Sequence, residues 1–456
     1  MTKKESYGQR LESVIPGGAH TYSRGRDQFP GNLPRAFSHG KGPYIFDPDN
    51  TKYLDYGMGL RSVTLGYAEP RVNRLVKKAI ESGNNLTGPS TTELFAAEEL
   101  LAALEWPDMV KFAKNGSNVT TAAIKLARSH TSRDWVLIPN GQPFFSFDDW
   151  FIGTTPMTKG VLSATSDKTL TFDLGSPESV IAAWEKSGGQ IAAVILEPAG
   201  PGWGCNPGVN CARHCPTESE DGRCFSRLEF LQWLRNFCDE KGCVLIFDEM
   251  IAGFRLAMGG GGEFFGVNPD LATFGKAIAN GFSVAALVGK RELMSLGGID
   301  SIGVERTFLL SSTHGSEMSS LAALRATIEI YEQEDVISRL RQVGSKVVQI
   351  LQEAISASKL QDFVSMSGFS VSPSLTFHGE NQTDSQRLRT IFLESMADRK
   401  IIASWFSPSL AHGPKEQNQT AIALHDSMQK VSLAIQDSAI QPRYGDVVKP
   451  VFRKYN

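Results

Sequence analysis

Asp270-Leu-Ala-Thr-Phe-Gly-Lys276-Ala-Ile-Ala-Asn-Gly281 decides how the chain folds, once it is set beside Cys243-Val-Leu-Ile-Phe247 and the Asp248-Glu249 pair that ends that run. The apolar run reads as a buried strand. A carboxylate at the C-terminal end of such a strand can keep a pyridine nitrogen protonated, and a lysine amine on a short Gly-Lys turn can form a Schiff base with an aldehyde. Together these are the means by which an enzyme holds pyridoxal phosphate (PLP). Taken alone, Lys276 reads equally as a solvated lysine and Asp248 as a strand-end cap. The pairing carries the chemistry.

Outward from this centre, apolar strands alternate with helical stretches. Val119–Arg128 reads as helix, 135–138 as strand, Val180–Ser187 as helix, 191–196 as strand, Leu228–Glu240 as helix and 244–247 as strand. This alternation predicts an α/β fold with a mostly parallel central sheet and helices on both faces. Upstream, apolar positions at helical spacing mark 70–82 and 93–104, and the Pro-Asp-Asn turn between Tyr44 and Asp55 marks a hairpin. After about Ser320 the pattern turns to long helices around Phe369–Phe377, a second, smaller α+β domain. The expected organisation is residues 1–65 as an N-terminal segment of the small domain, 66–320 as the large domain and 321–456 as the C-terminal small domain.

The 456 residues carry 41% hydrophobic and 21% charged side chains and a formal net charge of -3, an ordinary globular composition without the basic footprint of a nucleic-acid binder. No segment has the length and apolarity of a membrane span, and the N-terminal residues lack the apolar core of a secretory signal. A cytoplasmic protein is expected. The block Met258-Gly-Gly-Gly-Gly262 fits neither a dinucleotide fingerprint nor a P-loop and reads as a flexible turn.

Lys114-Asn115-Gly116-Ser117-Asn118 runs straight into a helix, so backbone amides, a hydroxyl and the positive dipole end converge as a dianionic phosphate requires. The same residues also make an ordinary N-cap. Phosphate turn, strand-end aspartate and Gly-Lys turn follow each other in the order that PLP needs.

On Phe247–Arg255, Phe265–Lys276 and Val284–Met294 the chain closely resembles the class III aminotransferases. Pro16–Gly18, Phe46–Asn50, Tyr53–Tyr56, Leu65-Gly66 and Ser409–His412 resemble the glutamate-1-semialdehyde 2,1-aminomutase branch, so the likeness covers nearly the whole length. The resemblance implies a fold type I homodimer with shared active sites acting on small amine and keto substrates. It implies Lys276 as the Schiff-base lysine, Asp248 as the pyridinium partner, Gly116, Ser117 and Asn118 at the phosphate, Glu197 near the cofactor, and Thr313 reaching the neighbouring subunit's phosphate. Where the family usually stacks a tyrosine on the ring, Phe144 stands; it keeps a π-face and loses the phenolic hydrogen bond. Ser316-Glu317-Met318 departs from the usual segment after Thr313. Leu60-Arg61 replaces the aminomutase aromatic.

All six cysteines lie between Cys205 and Cys243. Cys205, Cys211, Cys215 and Cys224 fall in a Gly/Pro/Asn-rich stretch at about 200–227 that reads as an insertion. Three readings stay open: a zinc or iron–sulfur site, with His214 as a substitute ligand, unliganded thiols, or disulfides. Cys238 and Cys243 read as core packing. Arg24, Arg61 and Arg255 are candidates for a substrate carboxylate or for surface salt bridges. The expected activity is amino transfer between an amine donor and a keto or aldehyde acceptor. An aminomutase shifting nitrogen within one molecule, and a PLP- or metal-binding protein without turnover, are the alternatives.

Overall fold

The apolar runs become the middle of a seven-stranded sheet in the computed structural model, which describes residues 6–142, 144–201, 203, 225–300, 302–303 and 305–455. Its strands are β1 (Met109–Ala113), β2 (Trp135–Pro139), β3 (Thr169–Phe172), β4 (Ile191–Leu196), β5 (Val244–Asp248), β6 (Leu271–Phe274) and β7 (Ala285–Gly289), in the order β1-β7-β6-β5-β4-β2-β3. β6, β5, β4, β2 and β3 run parallel, and only β7 runs against its neighbours β6 and β1. Every residue of β4, β5, β6 and β7 is buried. A strand covered on both faces leaves no solvent side for polar residues, hence sequences such as Ile-Ala-Ala-Val-Ile-Leu rather than an alternation.

The sheet belongs to a unit of residues 60–63 and 70–338. Its helices include α1 (Pro70–Glu81), α2 (Thr91–Leu104), α3 (Gly116–Thr131), α4 (Pro177–Lys186), α5 (Phe225–Lys241) and α6 (Met318–Glu334). This division differs from the sequence-based boundary at 320/321. α6 belongs with the sheet because its first turn is tied to Asn84: Met318 N and Ser319 N donate to Asn84 O and Oδ1, each at 2.9 Å. Farther along, Arg325 pairs with Glu99 at 2.7 Å and the Tyr331 hydroxyl donates to Phe254 O at 2.6 Å.

The second unit comprises residues 1–59, 64–69 and 339–456. The expected hairpin is present: Tyr44–Phe46 pairs antiparallel with Lys52–Asp55. Its turn is fixed by Asp47 Oδ1, which accepts from Asp49 N at 3.0 Å and Thr51 N at 2.8 Å, as an Asx turn does. Long helices Gln382–Asp398 and Pro414–Gln436 enclose a core that includes Tyr56, Phe377, Phe392, Phe406 and Met428.

Candidate active site

Four strand ends deliver the chemistry. β1 leads through Lys114-Asn115 into α3, β4 ends at Leu196 before Glu197, β5 ends on Asp248 with Glu249 following, and β6 runs through Gly275 to Lys276. All four strands point the same way, so these ends share one edge of the sheet, where open α/β folds bind ligands.

Asp248 is 2% exposed. Its Oδ1 accepts from Met250 N at 2.9 Å and from Thr273 Oγ1 at 3.3 Å. Among the described residues no bond falls on Oδ2. Burial raises the Asp248 carboxyl to about 6, against the pull of Lys276. A cationic ring nitrogen offered to Oδ2 would draw it back into the ionised range.

Lys276 sits at φ 49, in the left-handed region that an L-residue occupies at a cost. Burial lowers its ammonium, opposed by Asp248 and Glu197 and assisted by Arg61 and Arg255. No described residue hydrogen-bonds its amine. Desolvation favours the neutral, nucleophilic form of a lysine.

Glu197 is buried, with its backbone locked by the Gln142 amide: Glu197 N donates to Gln142 Oε1 and Gln142 Nε2 donates to Glu197 O, both at 2.8 Å. Burial, then the like charge of Asp248, pushes its carboxyl to about 8. Glu249, which sequence reading passed over, is 1% exposed and is also raised to about 8 by burial. Its two oxygens accept from Gly261 N and Gly262 N at 2.8 Å each. The glycine block is therefore a buried clasp and not a flexible turn. At Gly260, φ is +71 and an added Cβ would lie 2.0 Å from Glu249 Oε2. Four consecutive glycines close after an Asp-Glu strand end were the signal that could have revealed it.

At the phosphate end, α3 opens with Asn115 as N-cap: its Oδ1 accepts from Asn118 N at 3.0 Å, and its Nδ2 donates to Asn118 Oδ1 at 2.8 Å. Asn118 is thus engaged in the cap, and the first-turn amides of Gly116 and Ser117 are the ones left for an anion. Ser117 Oγ accepts from Phe147 N at 3.1 Å, which leaves its proton to donate. A Cβ on Gly116 or Gly275 would stand 3.0 or 2.6 Å from Met250 Sδ, so both glycines are needed where the chain passes Met250. An open Asp248 oxygen, an uncommitted buried amine and a helix start with free amides are what PLP requires, and the residues fit it.

Phe144 is 45% exposed and meets the edge of Phe151 at 5.7 Å. Thr313 is on an exposed turn where its carbonyl accepts from Asn85 Nδ2 at 3.1 Å. Glu317, in the departing segment, pairs with Lys114 at 2.6 Å, just before the phosphate turn. Arg24 is exposed in the other unit. Arg61 and Arg255 correct the surface reading: Arg255 is 0% exposed, donating from Nε to Arg61 O at 3.0 Å and from Nη2 to Val63 O at 3.2 Å. Cys205, Cys211, Cys215, Cys224 and His214 lie outside the described residues. Among the described residues no cluster of three or more His, Cys, Asp or Glu could hold a metal. Cys238 and Cys243 are buried and reduced.

A family model described as Aminotransferase class-III matches residues 27–182 and 215–376. A glutamate-1-semialdehyde 2,1-aminomutase of Thermus thermophilus is 30% identical over 447 residues, covering 93% of this chain and 98% of that protein. The enzyme of that name from Legionella pneumophila (strain Paris) is 28% identical, covering 91% of each. Among solved structures, the PLP internal aldimine form of the FumI protein of Sphingopyxis sp. MTA144 superposes with TM-score 0.80 at 25% identity over 96% of this chain and 97% of that one. A glutamate-1-semialdehyde aminomutase of Pseudomonas aeruginosa PAO1 superposes with TM-score 0.77 at 18% identity over 93% and 94%, a likeness of fold.

Proposed function

The chain belongs to the class III aminotransferase family and is a PLP-dependent enzyme, and from that premise we propose that Lys276 and Asp248 are its working pair and that it moves an amino group between separate donor and acceptor molecules. The observation that carries this reading is the half-buried Lys276, its amine free of hydrogen bonds to described residues and within reach of the charge of the buried Asp248. Bound PLP supplies an aldehyde that links to amines and a ring that takes up electron density from the substrate carbon.

The chain's own residues do the rest. Lys276 Nζ would hold the cofactor and, as a free amine, would take the proton from the carbon bearing the substrate amine and hand it on. Burial of Nζ favours the neutral amine, the form that accepts a proton. Asp248 Oδ2 holds the ring-nitrogen proton. Gly116 N, Ser117 N and Ser117 Oγ bind the phosphate, Glu197 lines the site, and Phe144 flanks the ring. Borohydride reduction of the holoprotein followed by peptide mapping should leave the cofactor on Lys276; a map with that side chain unmodified would remove the proposal.

An intramolecular aminomutase is the second reading, favoured by the names of the relatives from Thermus and Legionella. Leu60-Arg61 in place of an aromatic argues against it. A single amino donor should discharge the long-wavelength absorbance of the holoenzyme and a keto acid alone should restore it. An aminomutase would instead convert one substrate completely with no co-substrate.

We also propose a cytoplasmic homodimer in which Thr313 reaches the partner's phosphate site. The exposed apolar side chains of Ile299, Ile302 and Phe308 on the preceding stretch support an interface there. Sedimentation of the holoprotein at the monomer mass would exclude it. For the thiolates of Cys205, Cys211, Cys215 and Cys224 we propose zinc or an iron–sulfur cluster, tested by metal analysis against the variant with all four changed to Ser.

A further inference from the structure

We infer that the Arg61 guanidinium is the acid-group receptor of this active site, binding the carboxylate of an amino-acid or keto-acid substrate and thereby selecting acidic over neutral amines. The inference rests on the aminotransferase reading above and adds the substrate class to it.

The first observation is backbone. Met58, Gly59, Leu60 and Arg61 have successive φ of 41, 60, 60 and 71, a left-handed turn in which only the glycine is at ease. Such a turn persists where its surroundings hold it. Arg255, itself fully buried, grips the carbonyls of Arg61 and Val63. Val63 Cγ2 comes within 3.1 Å of where a Cβ on Gly281 would stand, so the turn also lies against the loop that carries Lys276.

The second observation is the side chain. Arg61 Nε is shut off from water and finds no hydrogen-bond acceptor among the described residues. Two buried arginines that serve structure give the contrast. Arg387 donates to Asp384 Oδ1, Ile440 O and Ala434 O, and Arg255 to the two carbonyls above. Arg61 senses the charges of Glu197 and Lys276, and no ion pair joins it to Glu197. A half-buried guanidinium with its Nε shut off from water is stabilised by a counter-charge, and a planar carboxylate is the partner its fork fits best. With Lys276 and Arg255 adding positive charge nearby, an acid group on the substrate completes a site that the described residues leave open.

Arg61→Gln, Arg61→Lys and Arg61→Gly separate a receptor from a structural arginine. Glycine is the residue most at ease at φ 71, so Arg61→Gly should melt no lower than wild type, whereas an arginine needed for packing would lower the melting temperature. Calorimetric titration of the holoenzyme should detect glutarate but not glutaramide. Glutarate affinity should fall about tenfold or more in Arg61→Gln and Arg61→Gly, with partial retention in Arg61→Lys. In the half-reaction, KM for 4-aminobutyrate should rise in the Gln variant while that for butylamine holds. Glutarate binding that is absent in wild type, matched by glutaramide, or indifferent to Arg61→Gln overturns the inference. Arg61-dependent glutarate binding with no donor able to discharge the cofactor absorbance would instead sink the aminotransferase reading and leave the receptor standing.

Discussion

Asp248 and Asp270 stand at opposite edges of the same pair of parallel strands, one on the last residue of β5 and the other just before β6, and they are used in opposite ways. Asp270 is saturated. Its Oδ2 accepts from Arg235 Nη1 at 2.9 Å and Leu245 N at 2.8 Å, and its Oδ1 from Lys290 Nζ at 2.6 Å. Asp248 has an oxygen to spare, and around it the buried Glu197 and the half-buried Lys276 and Arg61 have side chains with no hydrogen bond or ion pair to a described residue. A buried charge with every lone pair engaged serves the fold, and one left incomplete is a seat for a ligand. The protein has spent its pairing at the edge away from the chemistry and withheld it at the other.

The contrast can be broken most severely at Lys276. Lys276→Ala should cut amino transfer by about a thousandfold or more, because both the anchoring amine and the proton carrier go, while urea melts stay at or above wild type, since a buried cation is removed. Asp270→Asn should do the reverse: it leaves Arg235 and Lys290 short of a counter-charge and should cost about 3 kcal/mol by urea denaturation with the activity of the folded fraction intact. If both substitutions hit activity and stability alike, the distinction fails. At a smaller scale, Gly260→Ala should cost about 2 kcal/mol, since it forces a side chain into a left-handed position against the Glu249 carboxylate.

The gentlest probe is pH. The Glu249 carboxyl, at about 8 in the fold, lies far above the unfolded carboxylate range, so the native state keeps a proton that the unfolded chain releases. Its contribution is complete below the unfolded value and is lost as pH rises toward 8. Cofactor-free protein should therefore lose stability between about pH 5 and 8, and Glu249→Gln, which cannot ionise, should flatten part of that slope. An unchanged slope would mean that the Gly261 and Gly262 amides already hold the carboxylate ionised.

Strands β2, β4 and β5 could be read from their continuous apolar runs, and α1, α2, α3 and α5 from their spacing. β1 and β3 could not, because Met-Val-Lys-Phe-Ala and Thr-Leu-Thr-Phe mix polar and apolar residues as edge positions of a sheet permit. Lys276 and Asp248 could be proposed from the sequence because each stands in a short local motif. Glu249 and Gln142 could not, and Arg61 was only one of three candidate arginines, because what sets them apart is the company they keep, brought from segments distant in the chain.

By itself, then, the sequence determined the alternation of strand and helix and the family, and it put forward the lysine and its acid as the working pair, since periodicity and short motifs act between near neighbours. Only the tertiary structure decided which charges are paired and which are left waiting, that Gly260, Gly261 and Gly262 close on Glu249, and that Arg61 Nε is shut off from water on a left-handed turn. Burial and pairing are properties of surroundings, and the chain acquires surroundings only by folding.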